Sequence, residues 1–269
     1  MIGSPIPQSG KDTMFVTVKI EKTGGIATIW LNRPQQMNIL DQLALKELGD
    51  AFELCSSDPE TRVIILRGAG GKAFVAGADI AAMSAMSALE MREYMKTFGR
   101  LNGIMNKCDK PIIAVVEGFC FGGGNIVCMH CDVVFATPES QFGQQEINLG
   151  IVGGIARLIY VVGFHRAMDI LMTGRILDAA EAERIALVNA VVPAEELEGF
   201  VLKYAGKLMS KSPVAMALLK SAKTMAEKFT VELLQPYDDI VISVCSASQD
   251  GIEGMKAFVE KRQPVYQGK

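Results

Sequence analysis

The sequence predicts an α/β core followed by a helical C-terminal portion. Short apolar runs typical of strands alternate with amphipathic helical stripes in the first part of the chain, and glycine-rich corners connect them. From about residue 153 onward the pattern is mostly helical, with Gly163, Gly174 and Pro193 among its breaks. Apolar residues make up 49% of the 269 residues, so the chain can bury a substantial core.

The first elements form a predicted hairpin and a helix. The run FVTVKI at 15–20 alternates between apolar and polar residues, and GGIATIWLN at 24–32 follows after a glycine turn. Asp41 can cap a helix that extends to about Cys55, since Leu45, Leu48 and Phe52 recur at helical spacing. This start predicts two paired strands with a helix behind them.

The same order of elements then nearly repeats. RVIILRG at 62–68 reads as a strand, an apolar stripe predicts a helix over 86–107, and PIIAVVEG at 111–118 reads as a further strand. Pro213 suits the first position of a later helix. We therefore expect repeated units of strands and a crossing helix, with helices at the C-terminal end.

Charge and hydropathy argue against several classes of function. Lys and Arg number 27 against 30 Asp and Glu, so the net charge of −3 disfavours nucleic acid as the main partner. Apolar stretches such as 112–116 are far shorter than the roughly 20 residues that a membrane helix needs. Residues 1–13 are polar and lack the apolar core of a signal peptide, so we expect a disordered leader and a cytoplasmic location.

The six cysteines are expected to be reduced packing residues. They lie mostly inside apolar runs of a chain that lacks a secretion signal. The cluster Cys128-Met129-His130-Cys131 resembles half of a metal site, but no second ligand pair completes a tetrahedral set. No metal site is therefore predicted.

Two glycine-containing corners follow predicted strands, AFVAGADI at 73–80 and CFGGGNI at 120–126. Each can present free N–H groups at a helix N-terminus, and two such donors that converge on one point make an oxyanion hole. Glycine corners also simply allow strands and helices to pack tightly. Phosphate loops of the Gly-Lys-Ser or Gly-Lys-Thr type and the G-x-S-x-G elbow of serine hydrolases are absent from the sequence.

Six segments, in order, resemble the crotonase family, also called the enoyl-CoA hydratase/isomerase family. The resemblance extends from about Phe15 to the end of the chain. Its segments are LNRPQQMN at 31–38, AFVAGADI at 73–80, the GGG corner with CD at 131–132, QFGQQEINLGI at 141–151, LMTGR at 171–175 and GMKAFVEKR at 254–262.

The resemblance implies a crotonase-like spiral of repeated β-β-α units over 14–200 and a helical association region over 201–269. Family members are usually homotrimers or homohexamers built as dimers of trimers. They bind acyl-CoA thioesters in reactions such as those of fatty acid metabolism. Coenzyme A is then part of the substrate, and no prosthetic group is expected.

The same resemblance assigns binding roles to the two corners. It implies that the N–H groups of Ala76 and Gly123 form the oxyanion hole for the thioester carbonyl oxygen. It places Ala76, Gly77, Ala78 and Asp79 against the adenine end of coenzyme A, although the main role of Asp79 is expected to be a helix N-cap. It also implies that the loop LGIVGGIARL, which contains Gly154 and is about three residues shorter than in relatives, borders the acyl pocket.

The resemblance further implies one catalytic glutamate. Hydratases of this family carry two, and here Glu146 occupies the second position while Ile126 occupies the first. Water addition uses both carboxylates, and the loss of one acid or base costs about 10²–10⁴-fold in rate. Moving a double bond needs only one carboxylate, which takes a proton from C2 and returns it at C4. A single glutamate beside Ile126 therefore favours enoyl-CoA double-bond isomerisation.

Three alternatives stay open from the sequence. The chain can be a modified hydratase in which Glu90 or Glu93 replaces the missing partner. It can catalyse other enolate chemistry, such as hydrolysis, decarboxylation or dehalogenation, since the fold alone does not choose the reaction. It can also be a non-catalytic acyl-CoA binder, although a mere binder has no evident use for Glu146.

Overall fold

The computed structural model describes residues 15–226 and 231–269, so the predicted leader at 1–13 lies outside the described residues. The strands, in chain order, are β1 (Val18–Thr23), β2 (Ile26–Leu31), β3 (Val63–Gly68), β4 (Ala73–Val75), β5 (Ile112–Val116), β6 (Phe119–Phe121), β7 (Val133–Ala136), β8 (Gln141–Gly143), β9 (Ile176–Asp178) and β10 (Ala190–Val191). The helices are α1 (Gln42–Ser57), α2 (Ile80–Ser84), α3 (Ala88–Lys107), α4 (Gly123–His130), α5 (Ile155–Val162), α6 (Phe164–Thr173), α7 (Ala179–Arg184), α8 (Ala194–Met209), α9 (Pro213–Ala226), α10 (Val231–Ala247) and α11 (Gln249–Val259).

These strands form two sheets. The larger sheet has the order β1-β2-β3-β5-β7-β10, in which only β1 and β2 are antiparallel. The smaller sheet has the order β4-β6-β8-β9, with β4, β6 and β8 parallel and β9 antiparallel to β8. Successive strands β3, β5 and β7 join the larger sheet while β4, β6 and β8 join the smaller one. The chain thus winds between two sheets, which confirms the predicted α/β spiral.

The predicted helix starts are present and have identifiable caps. Asp41 accepts a hydrogen bond from the Ala44 N–H at 2.8 Å and begins α1. Ser87 and Glu90 form a reciprocal capping box at the start of α3. Pro213 is the first residue of α9, as its fixed φ and missing N–H favour.

The core lies between the sheets and the helices α1 and α3. Its largest fully buried side chains include Phe52 of α1, Leu66 of β3, Phe74 of β4, Leu101 of α3 and Phe142 of β8. Burying side chains of this kind contributes about 1.5–3 kcal/mol each. The cysteines 55, 108, 120, 128 and 131 are buried and Cys245 is partly buried, and all six are free thiols.

A close helix–strand contact brings the two glycine corners together. A β-carbon on Gly124 of α4 would lie 2.4 Å from the β-carbon of Val75, the last residue of β4. Only glycine permits this approach. The start of α4 therefore lies directly beside the segment that follows β4.

An ion-pair cluster attaches the C-terminal helices to the core. Asp132, just after α4, accepts hydrogen bonds from the ammonium groups of Lys220 at 2.6 Å and Lys223 at 2.8 Å, both on α9. Its Oδ2 also accepts the N–H of Ile112 at 2.8 Å. Although burial opposes ionisation of Asp132, the two lysines lower its pKa below the usual aspartate value.

Candidate active site

A cavity of about 390 Å³ opens between the two glycine corners. Most of its wall is apolar, and its polar groups are few, as in pockets for largely apolar ligands. Its lining residues are Ala76, Gly77, Ala78, Ile80, Met83, Tyr94, Met95, Phe98, Phe121, Gly122, Gly123, Ile126, Gln145, Glu146, Asn148, Leu149, Ile151, Val152 and Gly153.

One exposed backbone donor comes from the GGG corner. Gly122 adopts φ 52° and ψ −118°, and α4 begins at the next residue. The first helical hydrogen bond runs from the Ile126 N–H to the Gly122 carbonyl, so the Gly123 N–H precedes the intrahelical ladder. Gly123 also lines the cavity. The helix N-terminus therefore presents this N–H where a developing negative charge can be stabilised.

The other predicted donor, Ala76, is corrected by the structure. Its N–H donates to the Met37 carbonyl at 3.0 Å and is not available to a ligand. Two residues further on, Ala78 forms a parallel bridge with Leu40, in which the Leu40 N–H donates to the Gly77 carbonyl at 2.9 Å. The N–H of Ala78 takes no part in this pairing. It has no acceptor among the described hydrogen bonds. Ala78 also lines the cavity.

Glu146 lies on the cavity wall at the start of a short 3₁₀ turn after β8. Its Oε1 accepts a hydrogen bond from Gln144 Nε2 at 2.8 Å. Its Oε2 is buried and has no hydrogen-bond partner among the described residues. Burial raises the pKa of this carboxyl above its usual value, while the Gln144 amide opposes the rise. A carboxyl of this kind is suited to both accept and return a proton.

Ile126 shares the cavity wall with Glu146, as the sequence predicted. Within the described part of the chain, Glu146 is the only carboxylate that lines this cavity. Glu90 instead accepts hydrogen bonds from Ser87, and Glu93 pairs with Lys96 at 2.6 Å. Neither glutamate lines the cavity, so the possibility that one replaces the missing carboxylate is not supported.

Comparison with known proteins identifies the family. A family model described as enoyl-CoA hydratase/isomerase matches residues 21–269. This chain belongs to the enoyl-CoA hydratase/isomerase family. It is 38% identical to a crotonyl-CoA hydratase of Syntrophomonas wolfei, over 94% of this chain and 98% of that protein. It is 37% identical to a short-chain-enoyl-CoA hydratase of Clostridium acetobutylicum, over 91% of this chain and 95% of that protein.

Solved structures agree with this enoyl-CoA hydratase/isomerase assignment. The enoyl-CoA hydratase of Bacillus anthracis superposes with a TM-score of 0.89 at 32% identity, over 94% of this chain and 100% of that chain. DspI of Pseudomonas aeruginosa superposes with a TM-score of 0.90 at 29% identity, over 96% of this chain and 99% of that chain. The crotonase-type fold expected from the sequence is thereby confirmed.

Two predicted binding residues of this family member lie outside the cavity wall. Asp79 is the N-cap of α2, where its Oδ1 accepts the Ala82 N–H at 2.9 Å, so the predicted capping role is confirmed. Gly154 faces inward, because a β-carbon there would lie 2.9 Å from the Gln144 amide and 3.1 Å from Ile126. Its neighbour Gly153, which sequence reasoning did not single out, lines the cavity instead.

Other features of the chain bear on metals and membranes. No group of three or more His, Cys, Asp or Glu side chains among residues 15–226 and 231–269 is arranged to hold a metal ion. Burial lowers the pKa of His130 to about 3 and raises that of the Cys131 thiol. Within the same described ranges, every helix is too short or too polar to cross a membrane.

Proposed function

We propose that this chain adds water to the double bond of a 2-enoyl-CoA thioester, with Glu146 as the single acid–base carboxylate. The observation that carries the proposal is that Glu146, whose buried Oε2 has no hydrogen-bond partner among the described residues, lines the same cavity as Gly123. The names of the relatives favour hydration over the isomerisation that the missing carboxylate predicted.

A single carboxylate is sufficient for this reaction, because it accepts a proton from water and returns a proton to C2. Water oxygen bonds to C3 while one water proton passes to Glu146 Oε2, and the electron pair of the double bond moves toward the thioester oxygen. The proton on Oε2 then passes to C2 as the enolate collapses. The net change is OH on C3 and H on C2, so no prosthetic group is required.

Backbone donors are proposed to stabilise the enolate oxygen. We assign this role to the N–H groups of Gly123 and Ala78, because the Ala76 N–H is already bonded to Met37. One donor of such a hole contributes about 2.7–4 kcal/mol to transition-state stability. Gln145 and Asn148 are the amide side chains of the cavity wall, and either can orient the attacking water where Ile126 supplies no carboxylate.

Double-bond isomerisation is the second candidate, and Ile126 is the observation that favours it. With an apolar side chain at this position, Glu146 can take a proton from C2 of a 3-enoyl-CoA and return it at C4. This route needs no bound water. Association of the helical region 201–269 and a cytoplasmic location remain predictions from the sequence.

Mass analysis in heavy-oxygen water separates the two reactions. The purified protein is incubated with a 2-enoyl-CoA and, separately, with a 3-enoyl-CoA. Hydration predicts incorporation of heavy oxygen into the 2-enoyl substrate, whereas isomerisation predicts conversion of the 3-enoyl substrate without such incorporation. The variant Glu146→Gln should lose either activity, while Glu139→Gln, which changes an exposed carboxylate, should keep it. Undiminished turnover by Glu146→Gln would overturn the proposed role of Glu146.

A further inference from the structure

Two buried amides form a line that ends on Glu146. Asn125 and Gln144 are each only 1% exposed, although both carry polar side chains. Asn125 Nδ2 donates to Gln144 Oε1 at 3.1 Å, and Gln144 Nε2 donates to Glu146 Oε1 at 2.8 Å. Buried amide groups are costly unless they are hydrogen-bonded. Both ends of the Gln144 amide are paired in this line, whereas Asn125 Oδ1 has no partner among the described residues.

The line fixes the direction in which the Gln144 amide points. The ionised carboxylate of Glu146 can only accept hydrogen bonds, so the NH₂ group of Gln144 faces it. The carbonyl oxygen of Gln144 then faces Asn125 and accepts the N–H of the Asn125 amide. If Gln144 were reversed, its carbonyl oxygen would face the carboxylate, and the two acceptors would repel each other.

The two carboxylate oxygens of Glu146 have different surroundings. Oε1 receives the Gln144 hydrogen bond and is also enclosed by two glycines, since β-carbons on Gly122 and Gly153 would lie 3.3 Å and 2.9 Å from it. A β-carbon on Gly122 would be 3.9 Å from Oε2. Oε2 has no hydrogen-bond partner among the described residues.

We propose that Asn125 and Gln144 are positioning residues that hold Oε1 of Glu146 and leave Oε2 as the atom that exchanges the proton with the substrate. This inference rests on the proposed function, because it assigns the proton transfer to Glu146. Asn125 acts only through Gln144, which is the residue that contacts the carboxylate. Both residues stabilise the ionised form of Glu146 against its burial.

The other titratable side chain of the cavity does not complicate this assignment. Among the described residues that line the cavity, Tyr94 is the remaining group that can ionise. Burial raises the pKa of its hydroxyl to about 12, so it remains neutral over the working range. A change in the titration of Glu146 can therefore be attributed to its own hydrogen bonds.

The test is a double-mutant cycle of Gln144→Met and Asn125→Leu, substitutions that keep the approximate side-chain size. The pKa of Glu146 is read from its infrared carboxyl band, which is identified by subtracting the spectrum of Glu146→Gln. Removal of the Gln144 amide should raise that pKa by about one pH unit. Asn125→Leu should raise it less, and the double variant should show no more than the Gln144→Met shift.

If Asn125 and Gln144 have a purely structural role, their substitution should not shift the pKa of Glu146. Cys128→Ala, a buried change on the same helix that does not line the cavity, serves as the control and should leave the pKa of Glu146 unchanged. Shifts that are absent, or that add in the double variant, overturn the proposal. If Asn125→Leu does not fold, Asn125→Ser replaces it.

The infrared titration also separates this inference from the proposed function. It needs no turnover, so the expected shifts in a protein that neither hydrates nor isomerises enoyl-CoA would support the hydrogen-bond line and refute only the reaction. With an active enzyme, the limb of the pH–rate profile that reports Glu146 should move to higher pH in Gln144→Met. This direction holds whether the reaction starts from the carboxylate or from the carboxylic acid.

Discussion

Gly153 packs so closely against Glu146 that a β-carbon on residue 153 would lie 2.9 Å from Glu146 Oε1. Gly153→Ala should therefore displace the carboxylate from Gln144 and lower kcat by about 10–100-fold, since small displacements of reacting groups are costly. Steady-state kinetics check this expectation. Gly199→Ala is the matched control, because a β-carbon there has no neighbour within 4 Å. Equal kcat values for the two variants would contradict the expectation.

Glu146→Gln should increase the stability of the protein at neutral pH. Burial raises the pKa of Glu146 in the folded state above its unfolded value, so its favourable contribution is present at low pH and is lost as pH rises through the folded pKa. The neutral amide avoids the burial of an ionised carboxylate. Denaturant unfolding of both proteins at pH 7 and below pH 4.5 tests this, since the gain should disappear at the lower pH. A gain that is equal at both pH values would rule out ionisation as its cause.

Asp132→Asn should destabilise the attachment of the C-terminal helices. The substitution leaves Lys220, which is 7% exposed, without its carboxylate, and the loss of one partner of a buried pair costs about 3 kcal/mol. Because the pKa of Asp132 is lowered in the folded state, its contribution is present above the unfolded pKa and is lost as pH falls through the folded one. Chemical unfolding at pH 7 measures the loss. Asp109→Asn, which changes an exposed carboxylate, should have a smaller effect.

Tyr94→Phe should loosen the segment that carries the proposed Ala78 donor. The Tyr94 hydroxyl donates to the Leu40 carbonyl at 2.8 Å, and Leu40 in turn pairs with the Gly77–Ala78 segment. Loss of this buried hydrogen bond should cost about 1–2 kcal/mol of stability and lower kcat/KM. Unfolding and kinetic measurements on Tyr94→Phe and on the exposed control Tyr160→Phe decide the matter. Identical kinetic constants in the two variants would show that the hydrogen bond between Tyr94 and Leu40 does not support the proposed Ala78 donor.

The predicted association of the C-terminal region depends on exposed apolar side chains. Phe258 and Val259 at the end of α11 are 86% and 79% exposed, and Ile240, Ile242 and Val244 of α10 are also exposed. Light scattering should find a trimer or a hexamer that Phe258→Ser weakens, because exposed apolar patches mark association surfaces. A monomeric wild-type protein would contradict this prediction.

Local sequence patterns predicted much of the fold. The β1–β2 hairpin, the Asp41 cap and the start of α9 at Pro213 follow from alternation, capping chemistry and proline geometry. The assignment of strands to two sheets depends on contacts distant in sequence, such as Gly124 against Val75. Local propensity contains no information about these contacts, and the family resemblance implied only the spiral of repeated β-β-α units.

The candidate site was predictable only in part. Glu146, Ile126 and Gly123 all lie on the cavity wall as expected. The assignment of Ala76 failed because the direction of a backbone N–H depends on its partner, here Met37, which no spacing rule reveals. Asn125 and Gln144 lay inside the quoted motifs, but their roles depend on one hydrogen bond between residues 19 positions apart.

Hydrogen exchange at C2 of a saturated acyl-CoA tests the central claim most directly. Butanoyl-CoA in deuterated water has no double bond to hydrate or move, so deuterium enters C2 only if the site removes that proton and stabilises the enolate. The account predicts exchange catalysed by the wild-type protein and a loss of about 100-fold or more in Glu146→Gln. Exchange at the wild-type rate in that variant would show that another group removes the proton, and would contradict the role assigned to Glu146.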